Sequence, residues 1–89
     1  MLFRSKSTRV GTVQAVDAGA RSFSLVTPEG STTVQAPAGT PIWLDRSRQK
    51  RSAIGGGFDD LRAGRRVEIG YEDAERAGRV LWIKVEVAE

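Results

Sequence analysis

Along this chain, short runs rich in β-branched residues alternate with clusters of turn residues, the pattern of a mostly β domain. Arg21–Thr27, RSFSLVT, alternates most cleanly: Phe23 and Leu25 fall on one face, Ser22 and Ser24 on the other. Before it, Val10–Asp17, VGTVQAVD, predicts a first strand with Gly11 as a candidate bulge. DAGA at Asp17–Ala20 turns the chain, and PEG at Pro28–Gly30 makes a tight hairpin. Ser31–Ala36 then reads as a strand with Thr32, Val34 and Ala36 on one side. PAGTP leads into a short strand at Ile42–Leu44.

The second half repeats the scheme after an interruption. DRSRQKRSAIGGG, residues 45–57, lacks alternation and predicts a flexible, mobile loop. FDDLRAG at Phe58–Gly64 predicts one short helical turn near 58–63, with Asp59 as its N-cap, Leu61 inward and Gly64 as its stop. Arg65–Glu72 predicts a strand with Val67, Ile69 and Tyr71 in phase, and EDAERAG at Glu72–Gly78 a hairpin tip. Arg79–Val87 closes the pattern with Leu81, Ile83, Val85 and Val87 in phase. Its start, AGRVLWI, shares turn chemistry with AGRRVEI of the preceding strand. Five or six strands plus one helical turn predict a small all-β barrel, closed or partly open, since closure removes exposed edges. A sandwich of two small sheets is the alternative.

Three stretches carry a resemblance. GTVQAVDAGARSFSLVTPEG, DLRAGRRVEIGY and GRVLWIKVEV together resemble small bacterial OB-like barrels of unknown function, over about Val10 to Val87. The shared pattern is structural: a glycine-led first strand, a D-x-x-x-x-x-F-x-L hairpin, an L-x-x-G-x-x-V strand and a closing apolar strand. The outline is also similar to periplasmic copper-chaperone barrels, which implies Cu(I) held by methionine and histidine. Here Met1 is the only methionine and there is no histidine, so the soft donors of such a site are missing. A further similarity, to ribosome-associated OB-folds such as bacterial initiation factors and to cold-shock-like binders, implies nucleic-acid binding. The aromatic-rich strand of cold-shock domains is lacking.

Length and composition narrow the picture. Eighty-nine residues predict a single domain, 1–89, with residues 1–8 as a disordered or loosely packed N-terminal segment. With no cysteine there is neither a disulfide framework nor a thiolate. The missing histidine removes the usual general base and the commonest metal ligand. No enzyme, no cofactor and no metal are therefore expected. The start, MLFRSKSTRV, lacks the apolar region of a signal peptide, and no apolar run approaches a membrane span. The expectation is a cytoplasmic protein with no membrane contact, periplasmic if the natural chain carries a leader that is removed. Charge is uneven: through residue 66 there are 11 Lys/Arg against 5 Asp/Glu, and beyond it 3 against 6. The molecule is predicted to have a basic side.

Two sets of residues are candidates for function. Arg46, Arg48, Lys50 and Arg51 form a basic cluster in the 45–57 loop. They read as a phosphate-tracking grip or as a solvated loop held in water by its charge. Trp43 is out of phase with Ile42 and Leu44, and Trp82 with Leu81 and Ile83, which turns both indoles outward. Outward indoles can stack nucleobases or anchor a protein, unless the N-terminal MLF, the loop or a bulge covers them.

Three other features carry no chemistry. DRSRQK begins like the D-x-S-x-x-G of cyclic-di-GMP-binding PilZ barrels, but Lys50 replaces the glycine and Arg4 and Arg9 are a poor substitute for the paired arginines. Gly55–Gly57 is followed by no Lys-Ser/Thr pair, so it is not a phosphate loop. Asp59 and Asp60 fit capping better than acid–base work.

The expected function is that of a small non-enzymatic binding module. It would take single-stranded nucleic acid or another polyanion weakly through the basic cluster and outward tryptophans. The alternative is a protein-interaction or accessory domain with an acidic partner steered by the same loop. A monomer is the default.

Overall fold

The computed structural model describes residues 7–72 and 79–87. Its strands are β1 (Ser7–Asp17), β2 (Ser22–Thr27), β3 (Gly30–Gln35), β4 (Ile42–Asp45), β5 (Ile54–Gly55), β6 (Arg66–Tyr71) and β7 (Val80–Glu86). The protein is all-β: among the described residues these 7 strands form one sheet in the order β3-β2-β1-β6-β7-β4-β5. The only other regular elements there are two 3-10 turns, Ser47–Gln49 and Phe58–Asp60. No described helix is long and apolar enough to cross a membrane.

The long β1 bridges the two halves, pairing antiparallel with β2 along one edge and with β6 along the other. Hairpins add β3 to β2 and join β6 to β7. The segment after β3 carries the chain to the far side of the sheet, where β4 pairs parallel with β7 and antiparallel with β5. The ladder ends at β3 and at β5, with no pairing between those ends among the described residues.

One hydrophobic cluster fills the inner face, and the alternation built it. Phe23 and Leu25 of β2 meet Val67, Ile69 and Tyr71 of β6 and Ile83 and Val85 of β7, all buried. Each such side chain contributes roughly 1.5–3 kcal/mol through removal from water. Phe58 and Leu61, around the second 3-10 turn, join the same cluster. The Arg21 guanidinium lies 4.8 Å from the centre of the Phe58 ring, a cation–π contact over the edge of the core. Arg9 also lies on this side: its pair partner is the buried Ile69, and its buried Nε has no hydrogen-bond partner.

Several local expectations are corrected. Ser7 and Thr8, expected in a loose segment, extend β1 and pair with Tyr71 and Gly70; residues 1–6 lie outside the described residues. Gly11 is not the bulge. It pairs regularly with Val67, and a Cβ there would collide with the Val26 carbonyl oxygen and the Leu25 side chain. The bulge falls at Gln14, the extra residue between the Val13–Leu25 and Ala15–Ser24 pairs.

A second irregularity sits between the Gly70–Trp82 and Tyr71–Val80 pairs, with Leu81 as the extra residue. It turns Val80 onto the core and leaves Leu81 only half-buried, against the expectation that Leu81 is in phase with Ile83. The cap also differs: Asp60, not Asp59, accepts the Gly57 N–H at 2.9 Å, and the helical turn spans Phe58–Asp60 only. The expected hairpin tip lies mostly at 73–78, outside the described residues. At its mouth Glu72 donates its N–H to the Arg79 carbonyl at 2.9 Å.

Candidate nucleic-acid interface

The outer face of β1, β6, β7 and β4 is built by the out-of-phase residues of the same strands. Register lays one row across it: Val10 beside Glu68, Glu68 beside Lys84, Lys84 beside Trp43, Trp43 beside Gly55. A neighbouring row runs from Thr8 through Gly70 to Trp82. On the other flank, Asp45 stands beside Glu86. Both tryptophans therefore point outward, as strand parity predicts, yet they meet different surroundings.

Trp43 is 38% exposed. Its partner on β5 is Gly55, where an added Cβ would meet nothing within 4 Å, so that side of the indole is open. Trp82 is half-buried because its indole lies across Gly70, its partner on β6. A Cβ at Gly70 would collide with the indole ring. That close approach is the reason a glycine occupies the middle of a central strand. The Lys84 ammonium lies over the Trp82 ring, 5.8 Å from its centre, a cation–π contact.

The basic segment 45–57 is shaped rather than featureless. Asp45 accepts the Ser47 N–H at 3.0 Å and starts the 3-10 turn; Lys50 closes it in the left-handed region, φ 58°, with its N–H on the Ser47 carbonyl at 3.0 Å. The chain then returns through β5, where Ile54 pairs with Leu44. Residues expected as one mobile loop thus hold a turn and a strand at the end of the sheet.

This shape divides the four cations. Arg46 donates its Nε to the Ser52 carbonyl at 2.8 Å and braces the turn. Arg48 forms an ion pair with Glu86 at 3.4 Å, though 62% of its side chain remains exposed. Lys50 and Arg51 are exposed, and their side chains make no ion pair among the described residues. Two of the four candidate residues are thus free to meet a ligand, and two first serve the turn.

Parity also marks Arg66, Glu68, Lys84 and Glu86 as outward, but only register brings them together. With Val10 and Asp45 they line a shallow depression of about 240 Å³ beside Trp43. Its charges are of both signs, and the neighbouring carboxylates Asp45 and Glu86 are eased by Arg48 and Lys84. Hydrogen bonds from the Ser47 backbone and hydroxyl hold the Asp45 carboxyl below its ordinary value, helped by Lys84 and opposed by desolvation. No three His, Cys, Asp or Glu side chains gather as a metal site would need, among the described residues. Comparison with protein-family models, with curated proteins and with solved structures gives no match.

Proposed function

We propose that this chain is a non-enzymatic, cytoplasmic binding module that takes single-stranded nucleic acid, or a similar flexible polyanion, weakly at the Trp43 corner of the sheet. The observation that carries this reading is the setting of Trp43. It is exposed between Lys84 and the open Gly55 position, on the strand that runs directly into the turn bearing Lys50 and Arg51. A base stacked on the indole gains about 1–3 kcal/mol, and nearby cations meet the phosphates. The ladder order, with β1 shared between two hairpins and the β3–β4 segment passing from one side to the other, supports an OB-like barrel for this module.

The carboxylates of the depression limit the path of the strand. Phosphates are repelled from Asp45, Glu68 and Glu86, so the backbone runs on the side of Lys50 and Arg51. The test is a fluorescence titration with a single-stranded oligonucleotide at low salt, followed by added salt. Quenching that salt reverses supports the reading, and an unchanged signal at all concentrations ends it.

The same carboxylates favour a second reading, in which a protein partner docks on Trp43 and matches the mixed charges of the depression. Under that reading oligonucleotide leaves the fluorescence unchanged, and Trp43→Ala disrupts a protein complex instead.

A further inference from the structure

The strand at the other end of the ladder has an unused edge. β2 occupies one side of β3, and the parity of that pairing is fixed just past its end, where Ala36 donates its N–H to the Arg21 carbonyl at 2.8 Å. In an antiparallel ladder, backbone groups alternate between the two edges. Residues in phase with Ala36, namely Val34 and Thr32, therefore bond β2, while Ser31, Thr33 and Gln35 turn their N–H and C=O groups away from it. No turn or loop backbone bond reaches these three among the described residues.

Edges of this kind are usually blunted by lysine, proline, a bulge or extreme shortness. None applies here: Ser31–Gln35, STTVQ, carries no charge and no proline, and its pairing with β2 is regular. At the opposite end β5 spans only Ile54–Gly55, between Arg51 on one side and Gly56–Gly57 on the other. The protections missing from β3 are present there.

We propose that β3 pairs antiparallel with β3 of a second copy of this chain, about a two-fold axis at Thr33. Parity requires that outward-turned residues oppose outward-turned residues, and the register that pairs all three of them centres on Thr33. Thr33 then faces the partner's Thr33, and Ser31 faces the partner's Gln35, closing about six backbone hydrogen bonds. Thr–Thr and Ser–Gln neighbours are favourable or neutral, and no like charges oppose. The Glu29 hairpin of each copy comes beside Pro37 of the other, so no like charge opposes it at either end of the seam. A second copy also satisfies two open edges at once, which an unrelated peptide does not. The seam is narrow, so the dimer is weak and dependent on concentration.

Sedimentation velocity over a concentration series tests this, with amide exchange as the local readout. The wild type is expected to shift from monomer to twice that mass. On association the Ser31, Thr33 and Gln35 amides should slow at least about tenfold, while Thr32 and Val34 are already protected by β2. Thr33→Pro removes one outward N–H and spares the β2 pairing, so it should weaken the dimer at least about tenfold with the strand spectrum retained. Should that variant fail to fold, Thr33→Lys places like charges at the axis and should stay monomeric, and mixing it with Thr33→Glu should restore a mixed dimer. A wild type that stays monomeric to millimolar concentration overturns the proposal. So does a dimer unaffected by Thr33→Lys.

Discussion

Trp43 and Trp82 have the same outward parity on neighbouring strands, yet one is a surface and the other a brick. Both are opposed by a glycine across a strand pair, Gly55 for Trp43 and Gly70 for Trp82. The difference lies in where each glycine sits. Gly70 is in the middle of the sheet, so the Trp82 indole folds down onto it and buries its face. Gly55 belongs to the last strand, with nothing beyond to lean on, and the Trp43 indole stays open. Outward parity therefore does not by itself leave an indole open; position in the ladder decides.

The largest effect expected from this contrast comes from Gly70. Gly70→Ala drives a methyl into the Trp82 ring and should cost about 3 kcal/mol, the upper part of the overpacking range. For a domain of this size that lowers the melting temperature by roughly 12–24 °C, measurable by thermal circular dichroism. Gly55→Ala meets open space and should lower it by no more than a degree or two. Equal losses at the two glycines would erase the distinction.

Next come the indoles themselves. Trp82→Ala should cost about 2 kcal/mol of stability, roughly half of a fully buried aromatic truncation. Trp43→Ala should cost about 0.5 kcal/mol or less, yet weaken oligonucleotide binding roughly tenfold, the worth of one stacked base. Denaturant melts paired with titrations of both variants separate the roles.

A smaller effect belongs to the free cations. Replacing Lys50 or Arg51 by alanine should reduce the dependence of log affinity on log salt by about 0.7 each, without altering the melting temperature. Arg46→Ala should instead loosen the turn, because its Nε braces the Ser52 carbonyl.

The smallest effect is with acid. Asp45 has a lowered folded-state pKa, so its contribution is present above the unfolded value of about 3.9 and is lost as pH falls through the lower folded value. Melting curves between about pH 5 and 2 should show a shallower acid loss for Asp45→Asn than for the wild type. Trp82, remote from that turn in the ladder, should not alter the slope.

Much of this contrast was half-legible in the sequence. Alternation placed Phe23, Leu25, Val67, Ile69, Ile83 and Val85 inside and both indoles outside, since period-two patterns report the face directly. It could not tell the two indoles apart, because the seat on Gly70 depends on which residue of β6 opposes Trp82. That register is a non-local property, as is the parallel pairing of β4 with β7 that lays Lys84 beside Trp43. The bulges are non-local for a related reason. Gly11 advertises freedom, but the extra residues are Gln14 and Leu81, whose types give no signal. Within 45–57 the four cations point to a solvated loop, while the segment is shaped by the Asp45 side chain and the left-handed Lys50, which leave no mark in the charge pattern.

The most direct test of the Trp43 corner uses a Trp82→Phe protein, in which Trp43 is the remaining indole. Its emission is followed as a single-stranded oligonucleotide is added at low salt. The account predicts saturable quenching that is reversed by salt and weakened in Lys50→Ala and Arg51→Ala derivatives. Emission that stays constant through the titration, in a protein that melts cooperatively, would contradict it.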